Sequence, residues 1–103
     1  LCPETTIIWG HMGGYFHCEA AIQAAESLPN VMLDTSAMPY PRMIREAVER
    51  IGAERVMYAS DGPGCLPALE VEKVRLAGLS PEDEELVMHA NIEGVLEGVQ
   101  HAL

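Results

Sequence analysis

The sequence predicts an α/β fold: three consecutive βα units followed by C-terminal helices. Short strand-like runs alternate with stretches whose apolar residues recur at helical spacing, the order that builds βαβ units and a parallel sheet. Each strand-like run ends in a polar or ionisable residue followed by small, turn-forming ones, at His11, Asp34 and Asp61. These positions recur at spacings of roughly 25 residues, compatible with the ~30 residues per unit of a (β/α)8 barrel of ~250 residues and equally with a small open sheet.

The first strand is Thr5-Thr6-Ile7-Ile8-Trp9, a run without polar alternation that suits a parallel strand covered on both faces. It stops at Gly10-His11-Met12-Gly13-Gly14. Phe16, Ala20, Ala21, Ala24, Ala25 and Leu28 then recur at helical spacing, and Pro29-Asn30 ends the helix. Val31-Met32-Leu33 is a short strand running into Asp34-Thr35-Ser36. Between a loop bracketed by Pro39 and Pro41 and a closing Gly52, the residues Met43, Ile44, Ala47, Val48 and Ile51 form a helical stripe. Val56-Met57-Tyr58-Ala59 is the third strand, and Ser60-Asp61-Gly62-Pro63-Gly64 forbids regular structure after it.

Leu69, Val71, Val74 and Leu76 suggest a further helix closing at Gly78. Ser80-Pro81-Glu82-Asp83 reads as an N-cap, a proline at the first helical position and acids in the first turn, so a helix covers Glu82 to His89. Asn91 is expected to cap a last helix with Ile92, Val95, Leu96 and Val99 on its apolar face. Gly94 and Gly98 in that helix are read as sites of close packing, and the acidic run from Glu82 to Glu85 as a solvated face.

At 103 residues the chain has room for one compact domain, 1–103, and with 49% hydrophobic and 21% charged residues it should bury a core. Six Lys and Arg against 16 Asp and Glu give a net charge of −10, which would be repelled by nucleic acid or an anionic membrane surface. No apolar run is long enough to span a bilayer and the N-terminus has no basic, signal-like region, so the expected location is cytoplasmic. The three cysteines, Cys2, Cys18 and Cys65, fit neither a disulfide framework nor a CxxC knuckle and are read as reduced thiols. The chain opens on Leu1 rather than Met, so it is expected to be a cleaved, trimmed or partial product.

Ligands of parallel α/β folds sit beyond the carboxyl ends of the strands, where His11, Asp34 and Asp61 would share one mouth. His11, flanked by glycines, could bind a metal, shuttle a proton or polarise a carbonyl, or be a hydrogen-bonded structural histidine. Asp61, between an apolar strand and a Gly-Pro-Gly turn, could offer oxygens to a cation or accept a proton, or form an Asx-turn. Asp34, with Thr35 and Ser36, reads first as a cap of the next connection. His17, His89 and His101 read as surface residues, and Cys65, without an activating base nearby in sequence, as an inert thiol. The glycines around His11 match neither GxxxxGK[ST] nor GxGxxG, which argues against a nucleotide loop.

Three ordered blocks, Ile7 to Gly14, Leu28 to Ser36 and Gly52 to Asp61, with a fourth from Gly78-Leu79-Ser80 to Asn91, resemble the amidohydrolase-related (amidohydrolase 2) metal-dependent hydrolases, a family that includes the aminocarboxymuconate-semialdehyde decarboxylase group. The resemblance implies the C-terminal part of a TIM-barrel enzyme that hydrolyses C–N or C–O bonds or decarboxylates small acids. Such an enzyme holds a divalent metal, commonly zinc, at the carboxyl end of the barrel and acts on a small-molecule substrate. By carry-over, Asp61 matches the aspartate after the last strand, which ligates the metal and assists the reacting water. His11 matches the histidine after the sixth strand, a metal ligand in some members and an acid/base or hydrogen-bonding group in others. A bound metal lowers the pKa of its water towards ~7, and a carboxylate and an imidazole beside it can move the proton.

The family's HxH motif and its histidine after the fifth strand have no counterpart here, so the resemblance covers the last three βα units and the tail. Catalytic zinc takes three protein ligands and the sequence offers His11 and Asp61, so the isolated chain is expected to be inactive. Two functions follow: a C-terminal fragment of a metal-dependent hydrolase or decarboxylase that works with its missing part supplied, or a non-catalytic barrel fragment. A piece cut from a closed barrel exposes strand edges, so the expected partner is a second copy, as a homo-oligomer, or a complementary barrel half.

Overall fold

The computed structural model describes residues 2–102. Strand β1 (Ile7–Trp9), helix α1 (Cys18–Glu26), strand β2 (Val31–Asp34), helix α2 (Pro41–Ile51) and strand β3 (Val56–Met57) follow in the anticipated order, and helices α3 (Pro67–Leu76), α4 (Pro81–Glu85) and α5 (Asn91–Ala102) complete the chain. The strands form a parallel sheet of order β1-β2-β3, with Ile7 opposite Val31, Trp9 opposite Leu33, and Leu33 opposite Val56. All three carboxyl ends therefore open at one edge, which is where His11, Ser36 and Asp61 follow.

The core lies between the sheet and the helices: Ile22 and Ala25 of α1, Val31 and Leu33 of β2, Ile44 and Ala47 of α2, and Val56 of β3 are buried together. Arginines tie the helix ends into this frame. Arg55 donates to Ala25 O and Leu28 O at 3.0 Å past the end of α1 and to Ile51 O at 3.1 Å, and Arg45 donates to Ala77 O at 2.7 Å. Helical bonding runs out at these positions, and the guanidinium forks add donors to the carbonyls there. Arg50 links α1 to α2 through Glu19 at 2.7 Å and Glu26 at 2.9 Å.

Several sequence expectations need correction. β1 is not covered on both faces: Ile7 and Ile8, neighbours that point to opposite faces, are 38% and 40% exposed, and the strand lies at the edge of the sheet among the described residues. In α3 the leucines point outward, Leu69 being 66% exposed, whereas Glu70, Lys73, Val74 and Ala77 are buried. Those four follow the i, i+3, i+4, i+7 stripe that one helix face presents, and two of them are charged.

The expected helix from Glu82 to His89 starts as anticipated, with Ser80 Oγ accepting from Asp83 N at 3.1 Å, but it does not end at His89. Leu86–Ala90 form a π turn that runs directly into α5. Asn91 is helical, with φ −64° and ψ −47°, so it is not an N-cap. Its backbone N–H bonds Leu86 O, five residues back, instead of Val87 O. The released Val87 O accepts from Tyr58 N at 2.7 Å, and Asn91 Nδ2 donates to Ala53 O and Val56 O, both at 2.7 Å. The π turn thus docks the helical run onto β3 by freeing a carbonyl that a regular α-helix would have used. Gly94 and Gly98 face open space, with no atom of the described residues within 4 Å of an added Cβ, so close packing is not found at either within them.

Candidate active site

β1 ends in a tight turn, Gly10–Gly13, whose two central residues are left-handed: His11 at φ 65° and Met12 at φ 34°. Non-glycine residues adopt such angles only where the surroundings hold them. Here Met12 is wholly buried in the core beneath the turn, and Gly13, at φ +91°, lies where a Cβ would come within 2.7 Å of Cys18 N. The buried side chain and the close approach together turn the exposed His11 imidazole toward the end of β2.

At that strand end Asp34 Oδ1 accepts three hydrogen bonds, from His11 N at 3.0 Å, Ser36 N at 2.9 Å and Ser36 Oγ at 2.6 Å. Asp34 therefore makes the expected turn with its own chain and also locks the neighbouring strand end to it. His11 Nδ1 lies 2.9 Å from Ser36 Oγ and 3.1 Å from Ser36 O. A carbonyl oxygen only accepts, and the single hydroxyl proton of Ser36 is committed to Asp34, so Nδ1 carries the proton. In the neutral ring, Nε2 then holds the free lone pair. An imidazole oriented in this way, through its other nitrogen, is the arrangement that prepares histidine for metal ligation or proton transfer. Nothing in the sequence marks Ser36 for this role, because it depends on a contact with a residue beyond the neighbouring strand.

Asp61 sits in the loop after β3, left-handed at φ 51°, a conformation that Asp tolerates better than most residues. Its backbone O accepts from Cys65 N at 3.1 Å, and Cys65 Sγ lies 3.9 Å from Oδ2. Among the described residues no hydrogen bond joins Asp61 to His11. His17 and His89 are exposed, the latter 3.0 Å from Glu93, and the side chain of His101 lies outside the described residues. Cys18 is buried and donates to Gly14 O at 2.9 Å, and burial pushes its thiol pKa up.

No group of three or more His, Cys, Asp or Glu side chains among the described residues could hold a metal ion. The chain's own donors do not fit a complete catalytic metal site, which takes three protein ligands.

A family model described as amidohydrolase matches residues 1–97. The chain belongs to the amidohydrolase family. No curated protein matches it, but solved structures do. A 2,6-dihydroxybenzoate decarboxylase from Rhizobium aligns with a TM-score of 0.73 and 19% identity over 92% of this chain and 35% of its own. A dihydroxybenzoic acid decarboxylase from a Polaromonas species, with bound manganese and the inhibitor 2-nitroresorcinol, gives 0.73 and 20% over 92% of this chain and 34% of its own. An amidohydrolase from Burkholderia multivorans with bound zinc gives 0.63 and 18% over 85% and 42%. At these identities the likeness is one of fold: this amidohydrolase chain matches part of the family's barrel and spans about a third of the length of the decarboxylases. No helix among the described residues is long and apolar enough to cross a membrane.

Proposed function

We propose that the chain is the C-terminal part of a metal-dependent amidohydrolase-type enzyme, a hydrolase or decarboxylase of a small molecule, and that His11 and Asp61 are its contributions to the active centre. The observation that carries this reading is the orientation of His11: Nδ1–H is held by Ser36, and Nε2 is left with its lone pair on an exposed ring at the carboxyl edge of the sheet. Asp61, exposed after β3 at the same edge, supplies an anionic oxygen pair that can bind a cation or take a proton. The remaining ligands come from outside this chain, and the proposed ion is zinc, with manganese the alternative that a related decarboxylase holds. The decarboxylases among the related structures favour a small carboxylic acid as substrate.

The open edge of β1 supports the same reading. Ile7 and Ile8 are exposed along a strand that lacks an outer neighbour among the described residues, as expected where the rest of a barrel adjoins; without that part, a second copy is the proposed cover. The test is to express the full-length barrel containing this segment and measure metal content and turnover of hydroxylated benzoic acids in His11→Ala and Asp61→Ala. The proposal expects both variants to lose metal or activity by at least ~100-fold, the scale of lost transition-state groups. Wild-type metal content and turnover in both variants would refute it.

A further inference from the structure

We propose that the buried Glu70–Lys73 pair of α3 is a positioning device that holds Ser36 in place and so sets the tautomer of His11. Both residues are only 8% exposed. Lys73 Nζ donates to Glu70 Oε2 and to Thr35 O, both at 2.5 Å, while Glu70 Oε2 accepts from Ala37 N at 3.2 Å. The pair therefore grips the residues on either side of Ser36. Ala37 is left-handed at φ 54°, a conformation that costs energy for alanine and persists only where something holds it. Ser36, between these two grips, presents both its carbonyl and its hydroxyl to His11 Nδ1.

A buried ion pair is a poor way to gain stability, because desolvation offsets much of its attraction and apolar replacements of similar size are often neutral or stabilising. What an apolar pair cannot do is donate to Thr35 O and accept from Ala37 N. The contribution of Glu70 and Lys73 is thus to the geometry of the loop, and it reaches the imidazole through Ser36. This inference deepens the role proposed for His11, but it concerns ring orientation and holds whether or not a metal is bound there.

The test is the ring 15N spectrum of His11 in the full chain without metal, at mildly alkaline pH, with the signal assigned by His11→Gln. In the wild type the Nδ1–H form should dominate. Glu70→Leu/Lys73→Met should keep cooperative unfolding yet change the tautomer ratio roughly fivefold toward Nε2–H, the factor carried by one hydrogen bond of ordinary net strength. Lys73→Arg, which keeps a donor, should restore the wild-type ratio, and the core variant Ile44→Val should leave it unchanged. The proposal is overturned by a double variant that keeps the wild-type ratio, by an equal shift in Ile44→Val, or by a double variant that does not fold, since the pair would then be a determinant of the fold itself. Metal content in the full-length barrel reports separately on the proposed function.

Discussion

Replacing Asn91 by alanine removes two hydrogen bonds at once, because Nδ2 donates to Ala53 O and Val56 O, both at 2.7 Å, in a site where Asn91 is 9% exposed. An ordinary neutral hydrogen bond is worth about 0.5–1.5 kcal/mol net, and a buried acceptor left unpaired costs about 1–3 kcal/mol. Ala53 O keeps a second donor, the Val56 N–H, so the full penalty falls on Val56 O alone. The expected loss is therefore about 2–3 kcal/mol, or roughly 10–20 °C in melting temperature at ~4–8 °C per kcal/mol for a domain of this size. An N-cap would behave differently: its loss costs about 1 kcal/mol, and Asp replaces Asn there without loss. Asn91→Asp separates the two roles, since it turns a carboxylate toward two carbonyl oxygens and should be at least as destabilising as alanine. Urea unfolding followed by circular dichroism, with an unchanged m-value, measures both variants. A loss below about 1 kcal/mol for Asn91→Ala, or wild-type stability for Asn91→Asp, would refute the clasp between the π turn and β3.

Gly94→Ala and Gly98→Ala should each raise stability by about 0.5–1 kcal/mol, because an added Cβ meets open space and a helical glycine costs backbone entropy; a loss in the same urea assay would restore close packing. The Arg50 guanidinium, chiefly by hydrogen bonding, holds Glu19 and Glu26 below the usual carboxylate range. Their contribution is thus present above the ordinary pKa of about 4.3 and is lost as pH falls through the lower folded values. Stability should fall more steeply below about pH 4 in the wild type than in Arg50→Gln, and added salt should narrow the difference; parallel pH profiles would contradict the bridge. Burial raises the Cys18 thiol and encloses it, whereas Cys2 is exposed, so a thiol reagent at neutral pH should label Cys2 first and Cys18 only on unfolding. Equal labelling rates by mass spectrometry would contradict that difference.

Much of the strand and helix order was legible because it rests on local signals. Short apolar runs marked the strands, Ser80-Pro81 marked the start of α4, and the stripe from Met43 to Ile51 marked the buried face of α2. What was not legible depended on partners far along the chain. Spacing alone puts Leu69 and Leu76 on the buried side of α3, whereas the buried side is set by Lys73, which reaches Thr35 O, 38 residues away. Asn91 looked like a cap because asparagine commonly caps helices, but its role is set by carbonyls near β3. Of the candidate site, the strand-end positions of His11, Asp34 and Asp61 could be read directly, since parallel strands place their ends together. The role of Ser36 could not, because a serine in a turn gives no sign of which neighbouring strand will offer it a histidine. The exposed edge of β1 follows from the resemblance to part of a barrel, but the exposure of Ile7 and Ile8 does not follow from the run itself, because an apolar run is the same whether its cover lies in this chain or beyond it.

Whether His11 and Asp61 hold a metal only within a complete barrel is decided by metal analysis coupled to native mass spectrometry, applied to this chain alone and to the full-length barrel, each with and without His11→Ala and Asp61→Ala. The expected result is no stoichiometric metal on the chain alone, about one zinc or manganese ion per complete barrel, and loss of that ion in at least one of the two variants. A stoichiometric ion on the chain alone, or an undiminished ion in both barrel variants, would contradict it.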